Sequence, residues 1–171
     1  MKAKIFFLLA VLFVSSQAFS QAKIGYVDSK VILDNMQDAS DAQKNLDNFV
    51  TLWKAELSHL NDSLASIKDD FEKKKLILTD NVRKQREEGM VNLQRRIDDY
   101  KNQKFGQDGE YFTKQTELMK PVQDKVFKAI QDVAKEGSYD FVFDRSSEII
   151  LLYMNEKFDL TSKVIKKLEN K

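Results

Sequence analysis

LDNFVTLWKAELSHLNDSLASIKDDF, residues 46–71, decides how this chain folds. Its apolar residues fall at Leu46, Val50, Trp53, Leu57, Leu60, Leu64, Ile67 and Phe71, an unbroken alternation of four and three. That spacing lays one apolar seam along a helix, the heptad pattern of helices that pair along their length. It sits inside a longer helical stretch, Ala39 to Glu136, that holds one proline and three glycines. Helix rises about 1.5 Å per residue, so about forty to sixty residues reach on the order of 60–85 Å, too far to be buried in a small globule. The stretch is expected to project as an arm.

Where the arm turns follows from matching lengths. A turn at Gly106 and Gly109 would pair a long outgoing helix with a return less than half its length and leave much of the seam bare. The run Lys73-Lys74-Lys75-Leu76-Ile77-Leu78-Thr79-Asp80-Asn81 interrupts the seam with three lysines and then supplies helix-start residues. A turn there gives two antiparallel limbs, about Ala39 to Ile77 and Asp80 to Glu136, with the tip near 73–81. The return limb carries Val82, Met90, Leu93, Ile97 and Tyr100, then Phe112, Met119, Val122, Val126, Ile130 and Val133. Gly106 and Gly109 are expected to soften this limb without ending the helix, since an interior glycine costs roughly 0.5–1 kcal/mol relative to alanine. Pro121 lacks a backbone donor and is expected to bend it. These three residues are the candidate points of arm flexibility.

The flanks carry different patterns. Lys2 and Lys4 precede an apolar run from Ile5 to Val14, too short to span a bilayer, followed by small residues before Gln21 and Lys23. This is the pattern of a secretory signal peptide, cleaved near residue 20 or 22. Removing residues 1–20 leaves 151 residues with 26 Lys or Arg and 27 Asp or Glu, nearly neutral, and with no cysteine. An exported chain without disulfides relies on packing, and most economically on packing between chains. Lys23 to Asp28 has a strand pattern, with Ser29 as the expected cap of a short helix running to about Met36. Residues 38–41 are the expected joint before the long helix. Beyond Gly137, Tyr139, Phe141 and Phe143 alternate with Val142 as in a strand. Ile149 to Tyr153 form a continuous apolar run that fits a strand covered on both faces. Asp159 precedes a short amphipathic helix through Leu160, Val164, Ile165 and Leu168.

The expected fold class is therefore α+β: a long antiparallel helical-hairpin arm, residues 39–136, on a small β body made from residues 23–38 and 137–171. Three short strands are too few for a self-sufficient core. Ile24, Tyr26, Val27, Phe141, Val142, Phe143, Ile149, Ile150, Leu151 and Leu152 are thus candidates for oligomerisation through the body.

Charge is uneven along the arm. Asp38 to Asp70 holds seven acidic and three basic residues, whereas Lys73 to Lys104 holds ten basic and five acidic. Lys73, Lys74, Lys75, Arg83, Lys84, Arg86, Arg95 and Arg96 form a candidate basic arm surface, against the simpler view of a solvated helix face. Catalysis finds little support. His59 is the only histidine and lies off the seam, no cysteine exists, and Asp69, Asp70 and Glu72 lack a glycine-bearing cation loop. No Gly-rich phosphate loop is present, so neither a cofactor nor a metal is expected. Nucleic acid is not an expected partner, because the positive excess is small and few aromatics interleave with it.

Lys23-Ile24-Gly25-Tyr26-Val27-Asp28, Leu118-Met119-Lys120-Pro121-Val122, Ala129-Ile130, Val133-Ala134, Gly137 with Tyr139-Asp140-Phe141-Val142-Phe143-Asp144, and Asp159-Leu160-Thr161 with Val164 resemble the Skp (OmpH-like) periplasmic chaperones. The resemblance covers the chain beyond the signal peptide; it is specific at both ends and loose in the arm. It implies a trimer, with an intertwined β body carrying three helical arms around a cavity. It implies an ATP-independent holdase in the periplasm whose partners are unfolded outer-membrane β-barrel proteins. Leu76, Ile77, Leu78, Phe105, Tyr111 and Phe112 are the candidate client contacts, each weighed against packing within the hairpin. Members of the family are commonly strongly basic, and this chain is balanced, so contact with lipopolysaccharide or a membrane surface is expected to be weak. The alternative function is a structural coiled-coil protein of the envelope without chaperone activity.

Overall fold

The computed structural model describes residues 21–147 and 152–170. The elements in order are β1 (Ile24–Val27), α1 (Ser29–Asp34), α2 (Gln37–Lys74), α3 (Asp80–Phe105), α4 (Glu110–Glu136), β2 (Phe141–Asp144), a 3-10 turn (Glu156–Phe158) and α5 (Thr161–Glu169). The fold is mostly helical with a small strand pair. At 38 residues, α2 is about 57 Å long at about 1.5 Å per residue.

The seam of residues 46–71 faces inward. Leu46, Trp53, Leu64 and Phe71 are buried, while Val50, Leu57, Leu60 and Ile67 are half-buried. Both later helices pack on α2, and they meet it in reverse order. At its start, Ala39 and Ala42 pack with Val122 of α4, and Asp38 forms an ion pair with Lys125. At its middle, the Trp53 ring meets Phe105 at the end of α3. Near its end, Lys68, Phe71 and Glu72 line a groove of about 540 Å³ with Met90, Val91 and Gln94 of α3. Small residues at 39 and 42 let the two backbones come close where the helices leave the body.

The long helix begins at Gln37, ahead of the joint expected at 38–41, because the chain breaks one turn earlier at Asn35 and Met36. The cap of α1 is Asp28, whose carboxylate accepts from the Val31 amide at 2.9 Å. Ser29, the expected cap, is instead the first helical residue, and its hydroxyl donates to Asp144 Oδ2 at 2.5 Å. An aspartate carboxylate reaches an amide three residues on as well as a serine does, and here the serine is drawn to a partner across the body.

The return limb is two helices. Gly106 and Gly109 end α3 and start α4, where they had been expected only to soften one helix. Close approach is the reason. A Cβ on Gly106 would stand 2.4 Å from the Asn102 carbonyl oxygen, and one on Gly109 would stand 2.9 Å from the Gly106 nitrogen. The 106–109 crossing is therefore specified by the absence of side chains. Helix α4 runs through Pro121 without interruption.

The two ends of the chain meet in a parallel pair, with Ile24 opposite Phe141, Gly25 opposite Val142, Tyr26 opposite Phe143 and Val27 opposite Asp144. Tyr26 makes a further bridge to Asp159 on the other side of β1. Successive side chains on a strand point to opposite faces. Val27 and Val142 accordingly pack on the core with Ile32, Val126, Ala129, Val133, Leu160 and Val164. The outward register leaves Ile24, Phe141 and Phe143 exposed. Tyr139, expected on the face of Phe141 and Phe143, precedes the strand and packs against the core. At the end of α4 the left-handed position falls on Ser138, at φ 52°, and not on Gly137. Asp159, the expected acidic cap of α5, stands one residue ahead of the cap position, which falls on Leu160, and its Oδ1 accepts from the Thr161 amide at 2.8 Å.

Candidate functional site

Among the described residues no group of three or more His, Cys, Asp or Glu side chains can hold a metal ion. None of the described helices is long and apolar enough to cross a membrane. What the fold offers is bare apolar surface, in two main places.

The first is the distal turn. Leu76 is 93% exposed and Ile77 83%, with Leu78 half-buried between them and the start of α3. A five-residue connection has no room to fold its side chains back, so they stand in solvent. The lysines beside them are not free positive charge. Lys73 pairs with Asp69 at 2.5 Å, Lys74 with Asp70, Lys75 with Glu72 at 2.5 Å and Arg83 with Asp80 at 2.6 Å. Each partner is three or four residues away on one helix, where side chains meet. The Lys74 ammonium holds the Asp70 carboxyl below its ordinary range, and Arg86 on α3 adds to this. Lys84, Arg86, Arg95 and Arg96 lie exposed along α3. The expected basic surface is thus divided, with its tip half neutralised by carboxylates and its remainder spread along one helix.

The second place is the strand pair. Phe141 is 58% exposed and Phe143 40%, and Ile24 lies beside them. Tyr26 and Val27, expected with them as an oligomerisation surface, are buried within the chain's own body. Val142 is half-buried on the core side, and Leu152 is exposed outside any strand. Ile149, Ile150 and Leu151 lie outside the described residues, as does the segment 1–20 expected to be a signal peptide. Among the described residues the outer edge of β2 has no strand paired to it.

The remaining candidates gather where α3 passes to α4. The Phe105 ring is half-buried and meets Trp53 edge-on, with centroids 5.9 Å apart. Phe49 also stacks on Trp53, with centroids 5.9 Å apart. Tyr111 is half-buried against Phe112, which is exposed. Of the six proposed contacts, then, Leu76, Ile77 and Phe112 are available at the surface and Phe105 belongs mainly to the hairpin's own packing. Leu52, Val91 and Phe127 are exposed as well. They escaped the sequence reading, although each lies next to a seam residue and out of phase with it, which is the signal that marks them.

Around the start of α1, Asp28 is paired with Arg145 and Asp144 is held by hydrogen bonds. The Val31 amide and the Arg145 guanidinium, at 2.7 Å, hold the Asp28 carboxyl below its ordinary value. Burial works against ionisation of Asp144, but hydrogen bonds from Ser29 and Ser146 outweigh it and hold this carboxyl low too. These groups are used up in holding β1, β2 and α1 together and present nothing toward a substrate.

One long helix doubled by two shorter ones, and a parallel strand pair closing the two chain ends, define an α+β fold with apolar residues exposed at the distal turn, along the helices and on the strand pair. The chain belongs to the OmpH-like outer membrane protein family, whose model matches residues 23–168. In fold it is similar to a crystal structure from Caulobacter crescentus CB15 described as a proposed outer membrane chaperone (OmpH-like), with a TM-score of 0.73. The two are 14% identical, and the match covers 88% of this chain and 86% of that one. No curated protein matches it in sequence.

Proposed function

We propose that this chain is an ATP-independent holdase of the periplasm, exported by a signal peptide cleaved near residue 20 or 22. Its body, residues 23–38 and 137–171, assembles as a trimer, and residues 39–136 form an antiparallel hairpin arm with its tip at 73–81. Three such arms enclose unfolded outer-membrane proteins. The observation that carries this reading is the bare apolar surface at the two ends of the arm, a strand face at one and a turn at the other, with Leu52, Val91, Phe112 and Phe127 also exposed between them. The strand face, with Ile24, Phe141, Phe143 and a β2 edge unpaired among the described residues, suits permanent cover by further copies, because free edges and apolar strands invite pairing. Leu76 and Ile77 sit on a short turn beside neutralised charges, which suits brief, replaceable contact with an unfolded chain of alternating apolar residues. No covalent chemistry is part of the reading.

The experiment is in two parts. Light scattering on the protein lacking residues 1–20 is expected to give the mass of a trimer. Dilution of a urea-unfolded β-barrel protein into it is expected to leave that protein soluble without ATP. A monomer that does not slow aggregation would overturn the proposal, and a trimer that does not slow it would favour the structural envelope protein.

A further inference from the structure

The two helices of the return limb are tied across their break by one side chain. Lys104, in the last turn of α3, donates from Nζ to Glu110 Oε1 at 2.5 Å, in the first turn of α4. Gln103 Nε2 donates to the same oxygen at 3.1 Å. The same ammonium lies 5.3 Å from the centroid of the Trp53 ring on α2 and 5.6 Å from that of Tyr100. Its side chain is 15% exposed, less than that of any other lysine in an ion pair among the described residues. One charge therefore joins α2, α3 and α4.

Both members of the ion pair stand where the backbone favours them. Lys104 faces the carbonyl end of α3 and Glu110 the amide end of α4, so each is stabilised by the dipole of its own helix. A cation over an indole face gains further, most of all when partly desolvated. Against this, the backbone across 106–109 offers little: the Gly106 amide to the Asn102 carbonyl at 2.8 Å, and the Gly109 amide to the Gly106 carbonyl at 2.9 Å. Helix α2 passes the same level without a break. The orientation of the distal half of the return limb is thus set by side chains, at a joint made only of glycines and two polar residues.

We infer that Lys104 is a latch on this joint. Closed, it clamps the end of α3 and the start of α4 onto Trp53; open, it leaves α3 and α4 free to swivel about 106–109 while α2 stays whole. Lys104 is a positioning residue and touches no client. Because the closed state rests partly on charge, ionic strength shifts the balance, though less than for an exposed pair, since Lys104 is largely covered and in direct contact with Glu110. The latch would let one arm adapt to clients of different size, a consequence that rests on the holdase reading, whereas the latch itself does not.

Hydrogen exchange followed by mass spectrometry on the chain lacking residues 1–20, at 0.1 and 1 M NaCl, tests it, with Trp53, the single tryptophan, as a fluorescent reporter. The unaltered protein is expected to exchange measurably faster at residues 100–113 in high salt. Lys104→Met keeps the apolar stem and removes the charge. It is expected to speed exchange there about tenfold at low salt, as losing an ion pair with its cation–π contacts implies, and to abolish the salt response. Residues 55–70 of α2 should be unaffected. The double variant Lys104→Glu with Glu110→Lys re-forms the pair but opposes both helix ends and puts a carboxylate against the indole, so it should restore exchange only in part and leave Trp53 emission shifted. Unchanged exchange and salt response in Lys104→Met would overturn the latch. So would an equal rise throughout α2, α3 and α4, which would mark Lys104 as supporting the fold alone, and so would full recovery in the double variant.

Discussion

Replacing Phe141 and Phe143 together by serine removes the two exposed rings of β2 and touches nothing in the chain's own core. A phenylalanine presents on the order of 200 Å². At 58% and 40% exposure the rings leave about 115 and about 80 Å² bare. At about 25 cal/mol per Å², complete cover by a neighbouring chain is worth about 5 kcal/mol per protomer. Association recovers only part of such a figure. If half is realised, about 2.5 kcal/mol, the double variant weakens each protomer's attachment about 60-fold at 1.4 kcal/mol per factor of ten. The single chain also loses the covered parts of the rings, about 85 and about 120 Å², so its fold is expected to weaken by a few kcal/mol. Light scattering over a dilution series reads the first quantity and circular dichroism of the dilute protein the second. The double variant is expected to dissociate at concentrations where the unaltered chain stays assembled, with its helical signal retained. An identical mass at every concentration would refute the assignment of this face to assembly.

Leu76→Ser with Ile77→Ser should leave melting temperature and mass unchanged, since both residues are already in solvent, and should reduce the amount of β-barrel protein kept soluble. Undiminished holding would remove the tip from the client surface. Asp28 and Asp144 ionise more readily folded than unfolded, so their contribution is complete above the unfolded carboxylate value, about 3.9, and is lost as pH falls through the lower folded values. Urea unfolding should therefore be insensitive to pH from about 7 to about 5 and weaken below about 4. An equally steep acid loss in Asp28→Asn would place its source elsewhere. Ser138→Gly relieves a left-handed residue that costs about 1–2 kcal/mol and adds some chain entropy, for a net gain of about 0.5–1 kcal/mol in urea unfolding. A loss of stability on this change would mean that the serine side chain, not its backbone, matters.

Local pattern made the long helix legible. Leu46, Trp53, Leu64 and Phe71 are inward because heptad spacing leaves a helix no other way to hide them, and α2 ends at Lys74 and α3 begins at Asp80 within the lysine and Thr79–Asn81 window. The break at 106–109 was visible as glycine but not as an end, because a helical glycine and a glycine with the Asn102 carbonyl against it look alike in sequence. The cap of α1 was misassigned by one residue, since Asp28 and Ser29 are equally able caps and Asp144, 115 residues away, decides between them. Parallel pairing of β1 with β2 lies beyond local signals altogether. Of the candidate surfaces, Leu76 and Ile77 stood out because a turn interrupts a seam, whereas Tyr26 and Phe143 have the same strand pattern and opposite fates. The bridge to Asp159 covers the first and leaves the second bare.

The pairing of β1 with β2 also governs the order in which this chain can be made. Partners at 24 and 141 close a loop of more than a hundred residues, and contacts so distant in sequence form late, because the entropy of closure must be met before the contact returns anything. Zipping α2 against α3 and α4 starts at the tip and brings the two strands together as it finishes. The N-terminal strand, made first, thus has no partner until nearly the whole chain has followed. Stopped-flow refolding should accordingly show Trp53 fluorescence settling before mass rises. With the strand face built last, the assembly proposed for it has no seat to form on until the arm is complete.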